Sequence, residues 1–431
     1  MIALEEMKKA GKIFGIILAI LVLVVAFFYY KNNEVLPKGI VGKEADALAR
    51  KMLSSLNTEA YEQTEHIAWS FRGTHHYEWD KAANKVKVAW DDTVVFLDTK
   101  TPSNSKVLAA KEATDSMRLI QTAFDYFNND SFWLVAPYKV FDEGVTRSVV
   151  KYEGKDALLV TYTSGGSTPG DSYLWILDAT GRPKSYKMWV GIIPVGGIEA
   201  SWDAWTTTST GAVLPTHHNI ELFGMKLPMG NVTTSNPKAD ALANKMLKKI
   251  KHDAYKNTRY LEWSFGGNRS FKWDKEHHIV EVLWKNNKVI LHPNELNKST
   301  LFIDGKETIE NKEKLLKTAE RIFNNDSFWL VAPHKLFEDG IIRNTLKING
   351  KEALKVTYTK GGSTPGDSYI WILNDEFLPV QFLMTVPSMN MTKVPATWDD
   401  WFTSASGTYL PKTHTFSGGR TLSMGTVKAY N

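Results

Sequence analysis

The chain repeats itself. "NNDSFWLVAP" occurs at Asn128 and again, letter for letter, at Asn324, and "GGSTPGDSY" occurs at Gly165 and again at Gly361. Aligning these stretches brings others into register. "ADALARKML" at Ala45 answers "ADALANKML" at Ala239, "WSF" at Trp69 answers Trp263, and Trp202 and Trp205 answer Trp398 and Trp401. The offset drifts only from 194 to 196 positions, so a unit of about 195 residues is present twice with few insertions. Whatever fold one unit takes, the other must also be able to take. The boundaries fall at 43–235 for the first repeat domain and 236–431 for the second, joined directly by the turn-like "TSNPK".

Each unit opens with a helical pattern. Ala45, Leu48, Ala49, Met52 and Leu56 form one stripe of a 3.6-residue period. Short strand-like runs follow ("HIAWSFRG", "HHYEWD", "KVKVAW", "TVVFLD"), then a second helix with Met117, Leu119, Ile120, Ala123, Phe124 and Phe127 on its apolar face. Further strands return in "TRSVVKY", "ALLVTYT", "SYLWILD", "PKSYKMWV", "SWDAWTTT" and "VLPTHHNI". About ten strands per unit, joined by hairpin-length connections and interrupted by two embedded helices, predict an antiparallel α+β fold. The Asn128, Asn129 and Asp130 run predicts the end of the second helix, with Phe132 to Val135 as an apolar connector that Pro137 terminates.

Ahead of the repeats, Ile13 to Tyr30 is 18 residues without a charge, long enough to span a bilayer. It ends in Phe27, Phe28, Tyr29 and Tyr30, where a cleavable signal peptide would carry small residues. With Lys8, Lys9 and Lys12 before it, the segment predicts an uncleaved, single-pass signal anchor: 1–12 cytoplasmic, 13–30 transmembrane, 31–42 a linker, and the remainder exported. This places the protein in the cytoplasmic (inner) membrane, with the repeats on the periplasmic or extracellular side. The chain has no cysteine, which excludes disulfides, thiolate chemistry and lipidation of an N-terminal cysteine.

All 15 tryptophans lie in the repeats, and seven matched pairs account for all but Trp189, which faces Thr385 in the alignment. Trp69, Trp79, Trp90, Trp133 and Trp175, with their counterparts Trp263, Trp273, Trp284, Trp329 and Trp371, are the candidate lining of an apolar ligand site. The same residues would also serve as the filled core of a large sheet. No GxSxG, HExxH or P-loop is present, so no catalytic residue, metal site or cofactor is expected, and nothing points to nucleic acid. His218 and His414 are aligned and expected to be hydrogen-bonded structural residues. The aligned aspartates (Asp80 with Asp274, Asp130 with Asp326, Asp171 with Asp367, Asp203 with Asp399) leave open an enzymatic role on envelope lipid or glycan, and otherwise read as turn formers. The first unit carries 19 basic and 23 acidic residues (net −4) and the second 28 and 21 (net +7), so the halves differ in charge, with Lys245, Lys248, Lys249, Lys251 and Lys256 crowded on one helix.

The order of an opening amphipathic helix ("ADALARKMLSSL"), a first strand ("HIAWSF"), a strand meander, an embedded helix ("SMRLIQTAFDYF") and long antiparallel strands ("ALLVTYT", "SYLWILD", "KSYKMWV") resembles the LolA/LolB periplasmic lipoprotein-carrier family, here in tandem. The resemblance implies two homologous domains, each a curved antiparallel sheet (an incomplete barrel) closed by helices, that hold acyl chains in the apolar space between. A membrane-anchored envelope protein binding lipid or another apolar ligand is therefore expected. A non-enzymatic scaffold that docks a partner protein of an envelope complex is the alternative. The repeated "GGSTPGDSY" reads as a hairpin between two strands, with a polar rim for a head group as its other use.

Overall fold

The computed structural model describes residues 2–431 apart from 112–114, 165–168 and 361–364. The chain divides into two compact units, Met1–Ser235 and Asn236–Asn431. Helix α1 (Ile2–Asn32) precedes the repeats, and its Ile13–Asn32 stretch is long and apolar enough to cross a membrane.

In the first unit, strand β1 (Ile40–Val41) leads into helices α2 (Lys43–Ser55) and α3 (Thr58–Gln63), which are separated by Asn57 in the left-handed region. The stripe foreseen for the opening helix is the buried one: Ala45, Ala49 and Met52 are inaccessible to solvent. A meander follows: β2 (His66–Phe71), β3 (His75–Asp80), β4 (Lys85–Trp90), β5 (Thr93–Asp98) and β6 (Lys106–Ala109). Helix α4 (Ser116–Val135) packs over β5 and β6. The chain then returns through β7 (Val145–Tyr152), β8 (Lys155–Tyr162), β9 (Ser172–Leu177), β10 (Pro183–Trp189) and β11 (Ile198–Ser201). A separate two-stranded ribbon, β12 (Trp205–Thr207) and β13 (Val213–Pro215), precedes β14 (His217–Ile220) and the long β15 (Met225–Ser235).

Thirteen of these strands form one antiparallel sheet, in the order β1-β7-β8-β9-β10-β11-β14-β15-β2-β3-β4-β5-β6. The β15–β2 pairing closes the gap between the late strands and the early meander, with a register shift between Gly230 and Thr233 where the ladder bends. Among the described residues the end strands β1 and β6 do not pair, so the curved sheet stays open. The fold class is α+β with antiparallel sheets, as the hairpin-length connections predict.

The second unit repeats the order of elements. Helices α5 (Pro237–Lys249) and α6 (His252–Asn257) open it, and α7 (Lys312–Val331) lies in the position of α4. Its strands fall into a seven-stranded sheet, a five-stranded sheet and two-stranded ribbons. Here the return path is carried by isolated bridges, Ala396 to Phe416 and Asp399 to Thr413, in place of a continuous ladder. In both units the aspartate of the opening "AD" ties the first helix to the sheet. Arg147 Nε donates to Asp46 at 2.8 Å and Arg343 Nε to Asp240 at 2.7 Å, while each guanidinium also reaches a backbone carbonyl, of Val140 and Leu336 respectively.

One boundary differs from expectation. Asn128, Asn129 and Asp130 do not stop the second helix; α4 runs on through the apolar residues to Val135, and α7 likewise to Val331. Asx residues break helices when their side chains compete for the local backbone. Here Asp130 is buried and turned inward to other partners, and Asn129 Nδ2 donates to Asp130 Oδ1 at 2.8 Å, so that competition is removed. The segment 31–42 also differs from a free linker, since Ile40 and Val41 pair with β7.

The ends of the "GGSTPGDSY" stretch close a β8–β9 hairpin: Gly170 N donates to Tyr162 O at 2.7 Å and Tyr162 N to Asp171 O at 3.0 Å. The tip of that stretch lies outside the described residues, in both copies.

Candidate apolar ligand site

The predicted tryptophans lie in two aromatic groups in each unit. In the first unit, Trp69 stacks on Tyr77 with centroids 4.5 Å apart and meets Trp79 at 6.3 Å; Trp79 and Phe127 of α4 meet edge to face at 5.3 Å. Trp90 stands against Tyr126 of α4 at 5.5 Å. This group fills the space between β2–β4 and the middle of α4. The other group gathers under the end of α4: Trp133 against Tyr186 (5.7 Å) and His218 (5.3 Å), and Trp175 against Tyr186 (5.0 Å) and Trp202 (4.9 Å). Trp175 and Trp202 are wholly buried, whereas Trp79, Trp90 and Trp133 are only partly so.

The second unit follows the same division. Trp263 stacks on Phe271 (4.6 Å), and Trp273 meets Phe323 of α7 (5.2 Å), with Trp284 buried in the same cluster. Trp371 stacks on Trp398 (5.3 Å) in the other cluster. Trp329 of α7 packs against both clusters and reaches Phe382, His414 and Phe416. Six of the ten candidates are thus buried core residues and the other four (Trp79, Trp90, Trp133 and Trp329) pack partly buried against them, and the long helix supplies the rings that bind each group to the sheet.

Four of the ten candidate indoles, and Trp202 and Trp398 beside them, are short of a partner. The Nε1–H groups of Trp69, Trp175, Trp263 and Trp371 reach no hydrogen-bond acceptor. An unpaired buried donor costs about 1–3 kcal/mol.

Exposed aliphatic side chains lie where the edge strand hands over to the long helix. In the first unit, Leu108 in the bulged edge strand β6 is 59% exposed and Met117 in the first turn of α4 is 78% exposed. In the second, Ile309 just ahead of α7 is 86% exposed. Beside it a surface hollow of about 790 Å³ is lined by Lys312, Lys314, Lys317 and Arg321 together with Glu313, which pairs with Lys317 at 2.7 Å. A smaller hollow of about 270 Å³ in the first unit lies against β2, β3 and β15, between His76, Lys87 and Asn231. The two hollows are on the surface and carry mostly polar side chains, unlike the aromatic groups.

The aligned polar residues have structural partners, several of which sequence reasoning did not identify. Asp130 lies in α4 and not in a turn. Its Oδ2 accepts from Tyr77 Oη at 2.5 Å and lies 2.7 Å from His75 Nδ1. In the second unit, Arg269 stands in place of His75 with its Nε 2.7 Å from Asp326 Oδ2, within ion-pair distance but outside hydrogen-bonding geometry. Burial pushes the Asp326 carboxyl up to about 6 despite that guanidinium. Asp171 accepts from Gly191 N at 2.9 Å, and Asp80 caps the turn at Ala83 N. Asp399 accepts from the Thr415 hydroxyl at 3.1 Å.

His218 is the buried, hydrogen-bonded residue the sequence suggests. Its Nδ1 lies 2.8 Å from Ser201 O and its Nε2 2.7 Å from Trp133 O, linking β14 to the end of α4. Burial outweighs the pull of the two carbonyls and brings its pKa down to about 4. Lys81 and Lys275 sit over the rings of Tyr61 and Tyr255 at 3.6 and 3.7 Å, and burial lowers both to about 8. Asp274, Glu276 and His277 cluster closely enough to suggest a cation site, yet Arg259 already neutralises them at 3.1 Å from Asp274 and 2.9 Å from Glu276. The lysines crowded near the start of the second unit are engaged locally: Lys249 with Glu376, Lys256 with Asp253, and Lys245 over the ring of Phe377.

No family model and no curated protein matches the chain. Among solved structures it is similar to a DUF1329 family protein from Desulfovibrio piger (8% identity, TM-score 0.25, covering 45% of this chain and 93% of that one). It is also similar to a putative outer membrane lipoprotein-sorting protein domain from Vibrio parahaemolyticus (10% identity, TM-score 0.23, covering 43% and 93%). Neither likeness says what this chain binds.

Proposed function

We propose that this is a membrane-anchored envelope protein, held in the cytoplasmic membrane by Ile13–Tyr30, whose two duplicated units each accept an acyl chain or similar apolar ligand between the long helix and the open edge of the sheet. The carrying observation is that each unit exposes aliphatic side chains near the start of its long helix: Leu108 and Met117 ahead of and within α4, and Ile309 ahead of α7, although these are not matched positions of the repeat. Solvent-exposed aliphatic side chains at an unpaired sheet edge, over partly buried aromatic rings, suit entry of a ligand that lifts the first turns of the helix. The unpaired indole N–H groups of Trp69, Trp175, Trp263 and Trp371 favour a ligand carrying an acceptor, such as an ester or carboxylate. Lys312, Lys314, Lys317 and Arg321 beside Ile309 favour an anionic head group there. Helices α4 and α7 act as covers, and His218, whose ring nitrogens lie against Trp133 O and Ser201 O and whose single N–H donates to one of them, holds the far end of α4 as its fixed end.

The test is to place the full chain in bilayer nanodiscs containing a photoactivatable fatty acid and to map the crosslinked peptides. Crosslinks within residues 107–120 and 309–321, in addition to the apolar helix, are expected. Crosslinks confined to the apolar helix contradict ligand binding by the units.

A second reading rests on the close ring-to-ring packing of Trp175, Trp202, Trp371 and Trp398. A core so filled suits a scaffold that docks an envelope protein partner. In-cell crosslinking from exposed positions would then trap a protein, while the nanodisc experiment gives no crosslink in either unit.

A further inference from the structure

The one unmatched tryptophan has a partner that the repeat lacks. Trp189 Nε1 donates to Glu34 O at 2.8 Å, Glu34 N donates to Gly196 O at 2.9 Å, and Gly196 N donates to Asn33 Oδ1 at 2.8 Å. Lys187 Nζ adds an ion pair with Glu34 at 2.5 Å. The chain leaving α1 is thereby fastened to the hairpin between β10 and β11 immediately after the helix ends at Asn32. Two glycines make room for it. A Cβ on Gly196 would stand 2.4 Å from Trp189 Cδ1, and one on Gly197 would stand 2.6 Å from Glu34 Cβ. The second unit has Leu383 and Thr385 where the first has Lys187 and Trp189, so this clamp belongs to the first unit alone.

The clamp leaves little slack. Only Asn33 and Glu34 separate the helix end from the hairpin, and a residue spans at most about 3.5 Å. The head-group layer on one side of a bilayer is about 5–8 Å thick. The loop that follows Trp189 reads Val190, Gly191, Ile192, Ile193, Pro194, Val195, with no charge, and Ile192 at its tip is 75% exposed. Tryptophan and tyrosine favour this interfacial depth, and Tyr29, Tyr30 and Trp189 are the aromatic residues nearest the junction.

We infer that the Val190–Val195 loop is a second membrane contact, which seats the first unit on the outer surface of the bilayer with Ile192 in the head-group region. The occupant is lipid, because the loop is bonded directly to the end of the segment read as the anchor. The inference rests on that anchor and states further how the first unit stands on it: fixed at the surface, with no free tether.

The absence of cysteine makes a direct test available. Single variants Ile192→Cys, Leu21→Cys and Asn84→Cys of the full chain are labelled with an environment-sensitive fluorophore in vesicles of phosphatidylethanolamine and phosphatidylglycerol. Leu21 lies within the apolar helix, and Asn84 lies in the β3–β4 turn. The expected result is a severalfold brighter, blue-shifted emission that nitroxide-bearing lipids quench at both Ile192 and Leu21, with Asn84 remaining water-like. A lipid signal at Leu21 with a water-like Ile192 overturns the seat and leaves the anchor standing. Water-like signals at both overturn the anchor and the seat together.

Discussion

His75 Nδ1 lies 2.7 Å from Asp130 Oδ2, and the corresponding residues of the second unit, Arg269 and Asp326, meet at the same distance. A histidine on β3 and an arginine on the matching strand thus do one job. Each places a basic side chain against a buried carboxylate of the long helix, fixing that helix to the meander.

Removing one partner of a buried, hydrogen-bonded charge is costly because the other is left unpaired. Asp130→Ala is expected to lower the stability of the first unit by about 3 kcal/mol, and His75→Ala by about 1–3 kcal/mol. His75→Arg, which copies the second unit, should stay within about 1 kcal/mol of wild type if charge placement is what matters. Urea unfolding followed by a spectroscopic probe of the first unit checks all three. Equal losses for the Arg and Ala variants at position 75 would show that ring shape, and not charge, is required there.

The fastening of Glu34 predicts a protected linker. Trp189→Thr removes a donor and a packed ring, and Gly196→Ala puts a methyl group where the Trp189 ring stands. Either change should raise hydrogen exchange at the Glu34 amide by about tenfold, equivalent to about 1.4 kcal/mol of local opening. Exchange at Glu34 that is already fast in the wild-type chain would contradict the clamp.

The buried His218 sets the sign of a pH response. Its pKa is about 4 in the folded unit against an ordinary 6.5, so the unfolded chain binds the extra proton first. Its contribution is fully present above about pH 6.5 and is lost as the pH falls toward 4, a difference of 2.5 pH units or about 3 kcal/mol. The midpoint of denaturant unfolding of the first unit, followed by a probe placed in that unit, should fall across that window in wild type, and a His218→Gln variant should have a shallower slope; His334 and His414, also lowered by burial, act in the second unit.

Much of the fold is legible in the sequence because its signals are local. The stripe Ala45, Ala49, Met52 declares a helix face, the alternating runs declare strands, and Ile13–Tyr30 declares an apolar helix by length alone. What escapes is whatever depends on distant partners. The Asn128–Asp130 run reads as a helix stop until His75 and Tyr77, more than fifty residues earlier, are seen to hold Asp130. The exchange of His75 for Arg269 looks like a lost residue when both side chains meet the same carboxylate of the long helix. The tryptophans announce an aromatic interior, but not that they divide into two groups bridged by the long helix. Trp189 did carry a usable signal: a tryptophan without a counterpart, close to the glycines of "VGGIEASW", marks a contact that only the first unit makes.

If the aromatic interior of each unit receives an apolar ligand, that ligand should accompany the protein through purification. Native mass spectrometry of residues 33–431 prepared from cell membranes is the decisive measurement. Adducts with the mass of one or two acyl-chain lipids are predicted, and they should weaken when Trp133 and Trp329 are changed to Ala. Protein that carries no lipid and takes up no added fatty acid would contradict the account.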